Sequence, residues 1–143
     1  MASATDRLPT PLALLSAVVV FLVLSKLRHV MDAVIPSGGP LWRTVDITLL
    51  FVIALTPAVL AAALHPSRWL VIGVVAAYVS ALLWQLIQLS VPLTSGGPFD
   101  RPLYLVIVDA VLSAVPNAAL GPAGAALGLV IAQRTPNNRW RVP

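Results

Sequence analysis

The sequence predicts an all-α integral membrane protein with four transmembrane helices arranged as two tandem helical hairpins. Hydrophobic residues make up 59% of the 143 residues and charged residues only 10%, against about half and about a quarter in soluble domains. The sequence contains four apolar runs, and each reaches the roughly 20 residues that a helix needs to cross a bilayer core. They cover residues 12–33, 45–64, 70–91 and 103–132. None of them alternates apolar and polar residues, as the strands of a membrane barrel do.

The first run has the length of the hydrophobic region of a secretory signal, and Arg7 precedes it. It leads into the polar segment 25–29 instead of a small-residue cleavage site, and three more spans follow. We therefore expect a retained first helix. At its end, Arg28 and Asp32 have the i, i+4 spacing of a weak ion pair.

Two copies of the tetrapeptide Ser-Gly-Gly-Pro, at 37–40 and 95–98, each lie between two apolar runs. Downstream, Ala-Ala-Leu-His-Pro at 62–66 resembles Ala-Ala-Leu-Gly-Pro at 118–122. This order of features predicts a duplicated two-span unit. The alternative is that Gly and Pro simply mark membrane loops, where short matches are common.

The repeat units would cover 11–66 and 68–122 of one membrane domain at 1–143. An apolar extension (123–133) and a basic tail (134–143) would follow them. Because each unit contains two spans, both copies would enter the membrane from the same side.

The fourth run is too long for a straight span, because a helix over 103–132 measures about 45 Å. Pro116 and Pro122 each remove a backbone donor and predict a kink. We favour a kinked helix over the alternative, a span that ends near Leu120 and is followed by a short re-entrant or interfacial helix.

Basic residues suggest an orientation. The side with the N-terminus, the 65–68 loop and the tail carries five arginines, whereas the other side carries four basic residues and three aspartates. We expect both termini in the cytoplasm and a prokaryotic plasma membrane as the location. The net charge of +4 is spread over both sides, so the expected partner is the lipid bilayer and not nucleic acid.

Asp109 is the carboxylate that lies inside a predicted span, and Ser113 and Asn117 follow at i+4 and i+8 on the same helix face. One interpretation makes Asp109 a proton- or cation-binding group. We favour the other, a hydrogen-bonding or ion-pair partner of Arg43 or Arg101, because Asp109 is shallow enough for water or arginine to reach.

The third span contributes Gln85 and Gln88, with Ser80 and Trp84 on the face of Gln88. Membrane glutamines usually bond to another helix, which we favour over a polar ligand pocket facing Asp109. These glutamines complete the candidate polar membrane site, which comprises Asp109, Ser113, Asn117, Gln85 and Gln88.

Gly124 and Gly128 form a small-x-x-x-small pattern, which predicts close helix packing within the chain or between copies. His29 and His65 fall on opposite membrane sides, where we expect surface or interfacial positions that cannot share a metal. A single histidine facing a partner's cofactor is the alternative. With no cysteine and no recognisable catalytic motif, we expect no catalytic, metal or cofactor site.

No motif identifies a family. The sequence is most consistent with a small non-enzymatic multi-pass membrane protein, either a homo-oligomer or an accessory subunit of a membrane complex. The alternative is an oligomeric ion, proton or small-solute transporter or channel that uses Asp109 on a polar helix face. An enzyme ranks third.

Overall fold

The computed structural model describes residues 7–34, 40–95 and 102–135. Its helices are α1 (Thr10–Val34), α2 (Pro40–Leu64), α3 (Trp69–Ser95) and α4 (Leu103–Arg134), with a short 3₁₀ turn at Pro66–Arg68. Each of α1 to α4 is long and apolar enough to cross a membrane. The predicted all-helical class with four spans is therefore confirmed.

Prolines set several of the helix boundaries. Pro9 and Pro102 directly precede α1 and α4, and their carbonyls accept the N–H groups of the residues three and four positions further on. At the other end of α2, Leu64 is the last helical residue and Pro66 follows. Proline disfavours helical geometry in the residue before it, so α2 stops there.

α4 is one continuous helix of 32 residues, even though Pro116, Gly121 and Pro122 all lie inside it. It does not end near Leu120, so residues 123–132 form no separate re-entrant or interfacial helix. At 1.5 Å per residue α4 is about 48 Å long, which exceeds the roughly 30 Å of a hydrocarbon core. It must therefore tilt or extend beyond the core.

The helices α2 and α3 form the centre of the bundle. They pack against each other, and α1 and α4 each pack against both of them. In the part of the chain that the structure describes, no packing contact joins α1 to α4. These two helices therefore flank the central pair.

Hydrogen bonds define two ends of this bundle. At the first, which we call the terminal end, Thr10 Oγ1 lies 3.3 Å from His65 Nε2 and Arg7 donates to the Thr135 carbonyl. At the second, the opposite end, Arg28 of α1 meets Asp46 of α2. The start of α1 therefore lies beside the end of α2, and the end of α1 lies beside the start of α2. The two helices are antiparallel.

Small residues bring α4 close to α2. A Cβ on Gly124 would lie 2.8 Å from the Ala58 Cβ, and a Cβ on Gly128 would collide with the Val59 carbonyl oxygen and lie 2.9 Å from the Ala62 Cβ. From the first contact to the second, the residue number rises by four on both helices. The helices α2 and α4 therefore run parallel. These glycines therefore contact α2 within the chain.

The α3–α4 interface also depends on glycines, but here the helices are antiparallel. A Cβ on Gly73 would lie 2.5 Å from the Ala125 Cβ, and a Cβ on Gly121 would lie 2.9 Å from the Val74 Cα. Such close backbone approach favours dispersion contacts, which hold membrane helices together where burial from water cannot.

Most of the apolar surface faces outward. In the most apolar stretch of α4, only 11% of the residues are buried inside the chain. The corresponding buried share in α3 is 33%, the highest of the four helices. Large apolar side chains such as Val71, Leu112 and Phe51 are more than half exposed. This surface suits contact with lipid tails or with other membrane helices.

Candidate functional site

Asp109 and Ser113 lie on the outward face of α4. Both are exposed, whereas the neighbouring Ala110 and Ala114 are buried in the packed face of the same helix. Asn117, the third member of the predicted polar line, is half-buried. The line therefore turns from the outer surface at Asp109 toward the bundle interior at Asn117.

The two glutamines of α3 occupy different environments. Gln85 is half-buried and lines a pocket together with Asn117, whereas Gln88 is exposed and does not line it. The candidate polar site is thus divided in two. Gln85 and Asn117 share a cavity, while Asp109 and Ser113 lie on the outer face of α4.

The pocket has a volume of about 430 Å³, within the range typical of small-molecule sites. All four helices contribute to its wall: Phe21, Ser25 and Arg28 from α1, Leu50, Phe51, Ile53 and Ala54 from α2, Ala81, Trp84 and Gln85 from α3, and Asn117 and Leu120 from α4. Its wall is mainly apolar, with a few polar groups.

The position of the pocket follows from the distribution of side-chain size. The close glycine contacts of α4, at Gly121, Gly124 and Gly128, lie in the half of the bundle toward the terminal end. The pocket is lined instead by bulky side chains, such as Phe21 and Trp84, nearer the opposite end. Asn117 lies about 21 Å along α4 from its start, near the middle of the span.

An ion pair lies at the edge of this pocket. Arg28, which lines the wall, donates from Nε to Asp46 Oδ1 at 2.8 Å, and its Nη2 lies 2.6 Å from the same oxygen. The side chains are 27% and 25% exposed. The carboxylate of Asp46, which is not itself part of the wall, therefore balances the charge that Arg28 brings to it.

The remaining polar side chains of the lining are those of Ser25, Trp84, Gln85 and Asn117. Within residues 7–34, 40–95 and 102–135, no hydrogen bond is made by the side chains of Ser25, Trp84, Gln85 and Asn117. Ser25 is only 8% exposed. An unsatisfied polar group in hydrocarbon costs several kcal/mol, so these groups need water or a ligand as a partner.

His65 is buried within the chain at the terminal end, so it is not a surface histidine. Its ring is 8% exposed. Nδ1 donates to the Leu8 carbonyl at 3.0 Å, since a carbonyl only accepts, and Nε2 lies 3.3 Å from both the Thr10 and Ser67 hydroxyls. His29 is exposed.

The N-terminal segment also caps two helices at this end. The N–H groups of Arg7 and Leu8 donate to the Leu64 carbonyl, the last of α2, at 2.9 and 3.2 Å. Arg7 Nη2 reaches the Thr135 carbonyl at 3.2 Å. The segment therefore satisfies carbonyls that the ends of α2 and α4 leave without helical donors.

Sequence reasoning missed the Arg28–Asp46 pair, because both residues were treated as charges at helix ends. The predicted partner of Arg28, Asp32, has a side chain outside the described residues. Phe21, Ser25 and Arg28 recur at i, i+4 and i+7, which is the sequence signal that places them on one face of α1. In the described ranges, no group of three or more metal-ligating side chains occurs.

No family model, curated protein or solved structure matches this chain.

Proposed function

We propose that this chain is a non-enzymatic membrane subunit that assembles with further copies of itself through the outer face of α4. The observation that carries the proposal is the exposure of Asp109 and Ser113 on that face. Polar side chains inside a span usually face protein or water instead of lipid, and a neighbouring helix would provide that environment.

Two further features support α4 as the contact helix. It flanks the central pair and is the least buried of the four spans.

The finer arrangement belongs to the same proposal. We propose two tandem hairpins, α1–α2 and α3–α4, derived from a duplicated unit, with α4 kinked at Pro116 and Pro122. We also propose a prokaryotic plasma membrane as the location, with the termini in the cytoplasm. The distribution of arginines supports this orientation. The Ser-Gly-Gly-Pro motifs lie mostly outside the described residues, apart from Pro40, which begins α2, and Ser95, which ends α3.

Disulfide cross-linking tests the assembly, because the natural chain contains no cysteine. Ser113→Cys places a thiol on the proposed contact face, and Leu15→Cys is a matched control on the exposed face of α1. On oxidation in native membranes, we expect a cross-linked dimer of Ser113→Cys and none of Leu15→Cys. Equal cross-linking of the two, or of neither, would contradict the proposed interface.

The second candidate is an oligomeric transporter or channel. It is favoured by the pocket at mid-span depth, where Gln85 and Asn117 present amide groups. Proton and cation flux into reconstituted vesicles separates the two proposals. A non-transporting subunit gives the same flux as empty vesicles with wild type and with Asp109→Asn. A flux that needs Asp109 would replace the subunit proposal with transport.

A further inference from the structure

The pocket between the four helices has the features of a ligand site and not of a packing defect. It opens at the helix surface, and its volume of about 430 Å³ is within the range of small-molecule sites. Four polar side chains that line it make no hydrogen bond within the described residues, and one of them, Ser25, is 8% exposed.

The charges of the lining select the class of ligand. Asp46 already neutralises Arg28. An anionic or cationic ligand in the pocket would therefore find no protein charge of opposite sign left to pair with. Gln85 and Asn117 each offer an amide donor and an acceptor, Trp84 offers an N–H and Ser25 a hydroxyl. Such groups bind uncharged carbonyls and hydroxyls.

The surroundings of the pocket indicate where the ligand enters. Leu50 and Phe51 line it and are 44% and 55% exposed, on helix surfaces that lie within the apolar span of α2. An apolar molecule dissolved in the bilayer meets this rim directly. The apolar walls would hold its body, and the amides would hold its polar group.

We infer that this pocket binds a neutral membrane lipid through a carbonyl or hydroxyl group. Two sources supply that chemistry, a quinone ring and the glycerol ester region of a diacylglycerol. This inference does not rest on assembly through α4, because Asp109 and Ser113 do not line the pocket.

The test measures the thermal unfolding midpoint of the full chain in detergent against two neutral probes, a ubiquinone with one isoprene unit and dioctanoylglycerol. Dioctanoyl phosphatidic acid serves as the anionic comparison. We expect a saturable rise in the midpoint with at least one neutral probe and none with the anion. A response to ubiquinone alone identifies a quinone, and a response to dioctanoylglycerol alone identifies a glycerolipid.

Gln85→Leu and Asn117→Leu remove the polar groups while filling similar volume. Gln88→Leu is the matched control, since Gln88 is exposed on the same helix outside the pocket. We expect roughly tenfold weaker probe binding in the first two variants, as for one lost hydrogen bond, and unchanged binding in the control. Without probe, the two pocket variants should unfold at or above the wild-type midpoint, which separates lost binding from lost folding.

Tryptophan fluorescence locates the bound ubiquinone. In a variant with Trp42→Phe, Trp69→Phe and Trp140→Phe, only Trp84 in the pocket remains to be quenched. Saturable quenching that dioctanoylglycerol reverses places both probes in this pocket. The inference is overturned if neither neutral probe raises the midpoint, if only phosphatidic acid does, or if the rise persists in both Gln85→Leu and Asn117→Leu.

Discussion

Arg28 on α1 and Asp46 on α2 form an ion pair across the antiparallel helix pair, with Arg28 Nη2 2.6 Å from Asp46 Oδ1. Both side chains are about three-quarters buried, and Arg28 also lines the pocket. The pair therefore links α1 to α2 near the opposite end of the bundle and balances the charge that Arg28 brings to the pocket.

Removing one partner of this pair should destabilise the protein more than removing both. Arg28→Gln takes away the ion-pair partner of the partly buried Asp46, and Asp46→Asn takes away the carboxylate that Arg28 contacts. We expect each to lose about 1–3 kcal/mol. The double variant leaves no charge and should recover part of that loss. Unfolding in mixed detergent and denaturant measures the three variants.

Lys26→Gln provides the control for the ion pair, because Lys26 is exposed on the same helix. It should leave the unfolding transition unchanged. Additive losses in the double variant would show that Arg28 and Asp46 act independently.

Gly128 should tolerate no side chain. Alanine gains roughly 1 kcal/mol in helix propensity over glycine, but a Cβ here collides with the Val59 carbonyl, which belongs to the backbone and cannot rotate away. We expect Gly128→Ala to destabilise the bundle by about 1–3 kcal/mol through overpacking. The measurement is again the unfolding transition in detergent.

Ala126→Leu is the corresponding control on α4, since Ala126 is exposed two residues away. It adds more volume than Gly128→Ala but does so at an exposed position of the helix. If Gly128→Ala proves as stable as wild type, the close parallel contact of α2 and α4 is wrong.

Hydrophobicity was sufficient to predict the four spans, because each helix must be apolar on nearly all sides to reside in lipid. The same property hid which faces pack together. Ser80, Trp84 and Gln88 share a predicted helix face, yet Ser80 is fully buried and Gln88 is exposed. Spacing within one helix does not reveal where the neighbouring helices cross it.

The pocket was beyond sequence reasoning for a related reason. Its polar residues come from three helices, and Gln85 and Asn117 line one pocket because α3 and α4 pack antiparallel through Gly73 and Gly121. Sequence patterns identified both amides as polar groups inside spans. They gave no signal that Asp109 would lie apart from them.

Ser80 presents a different prediction, because its buried hydroxyl has no hydrogen-bond partner in the described part of the chain. Ser80→Ala removes this unsatisfied group at almost unchanged volume, and we expect it to raise stability by about 1 kcal/mol. Ser16→Ala on α1, where the serine is half-buried, should have a smaller effect. A loss of stability in Ser80→Ala would indicate that the hydroxyl is hydrogen-bonded.

His65 should hold the N-terminal segment against the end of α2. His65→Ala removes the ring that contacts the Leu8 carbonyl and the Thr10 and Ser67 hydroxyls, and we expect a loss of about 1–3 kcal/mol. Hydrogen exchange gives the local measurement, since the Arg7 and Leu8 amides bond to the Leu64 carbonyl and should exchange faster in the variant. His29→Ala, at an exposed position, should leave both amides protected. Unchanged exchange at Arg7 and Leu8 in His65→Ala would mean that the backbone bonds to Leu64 hold the segment without the imidazole.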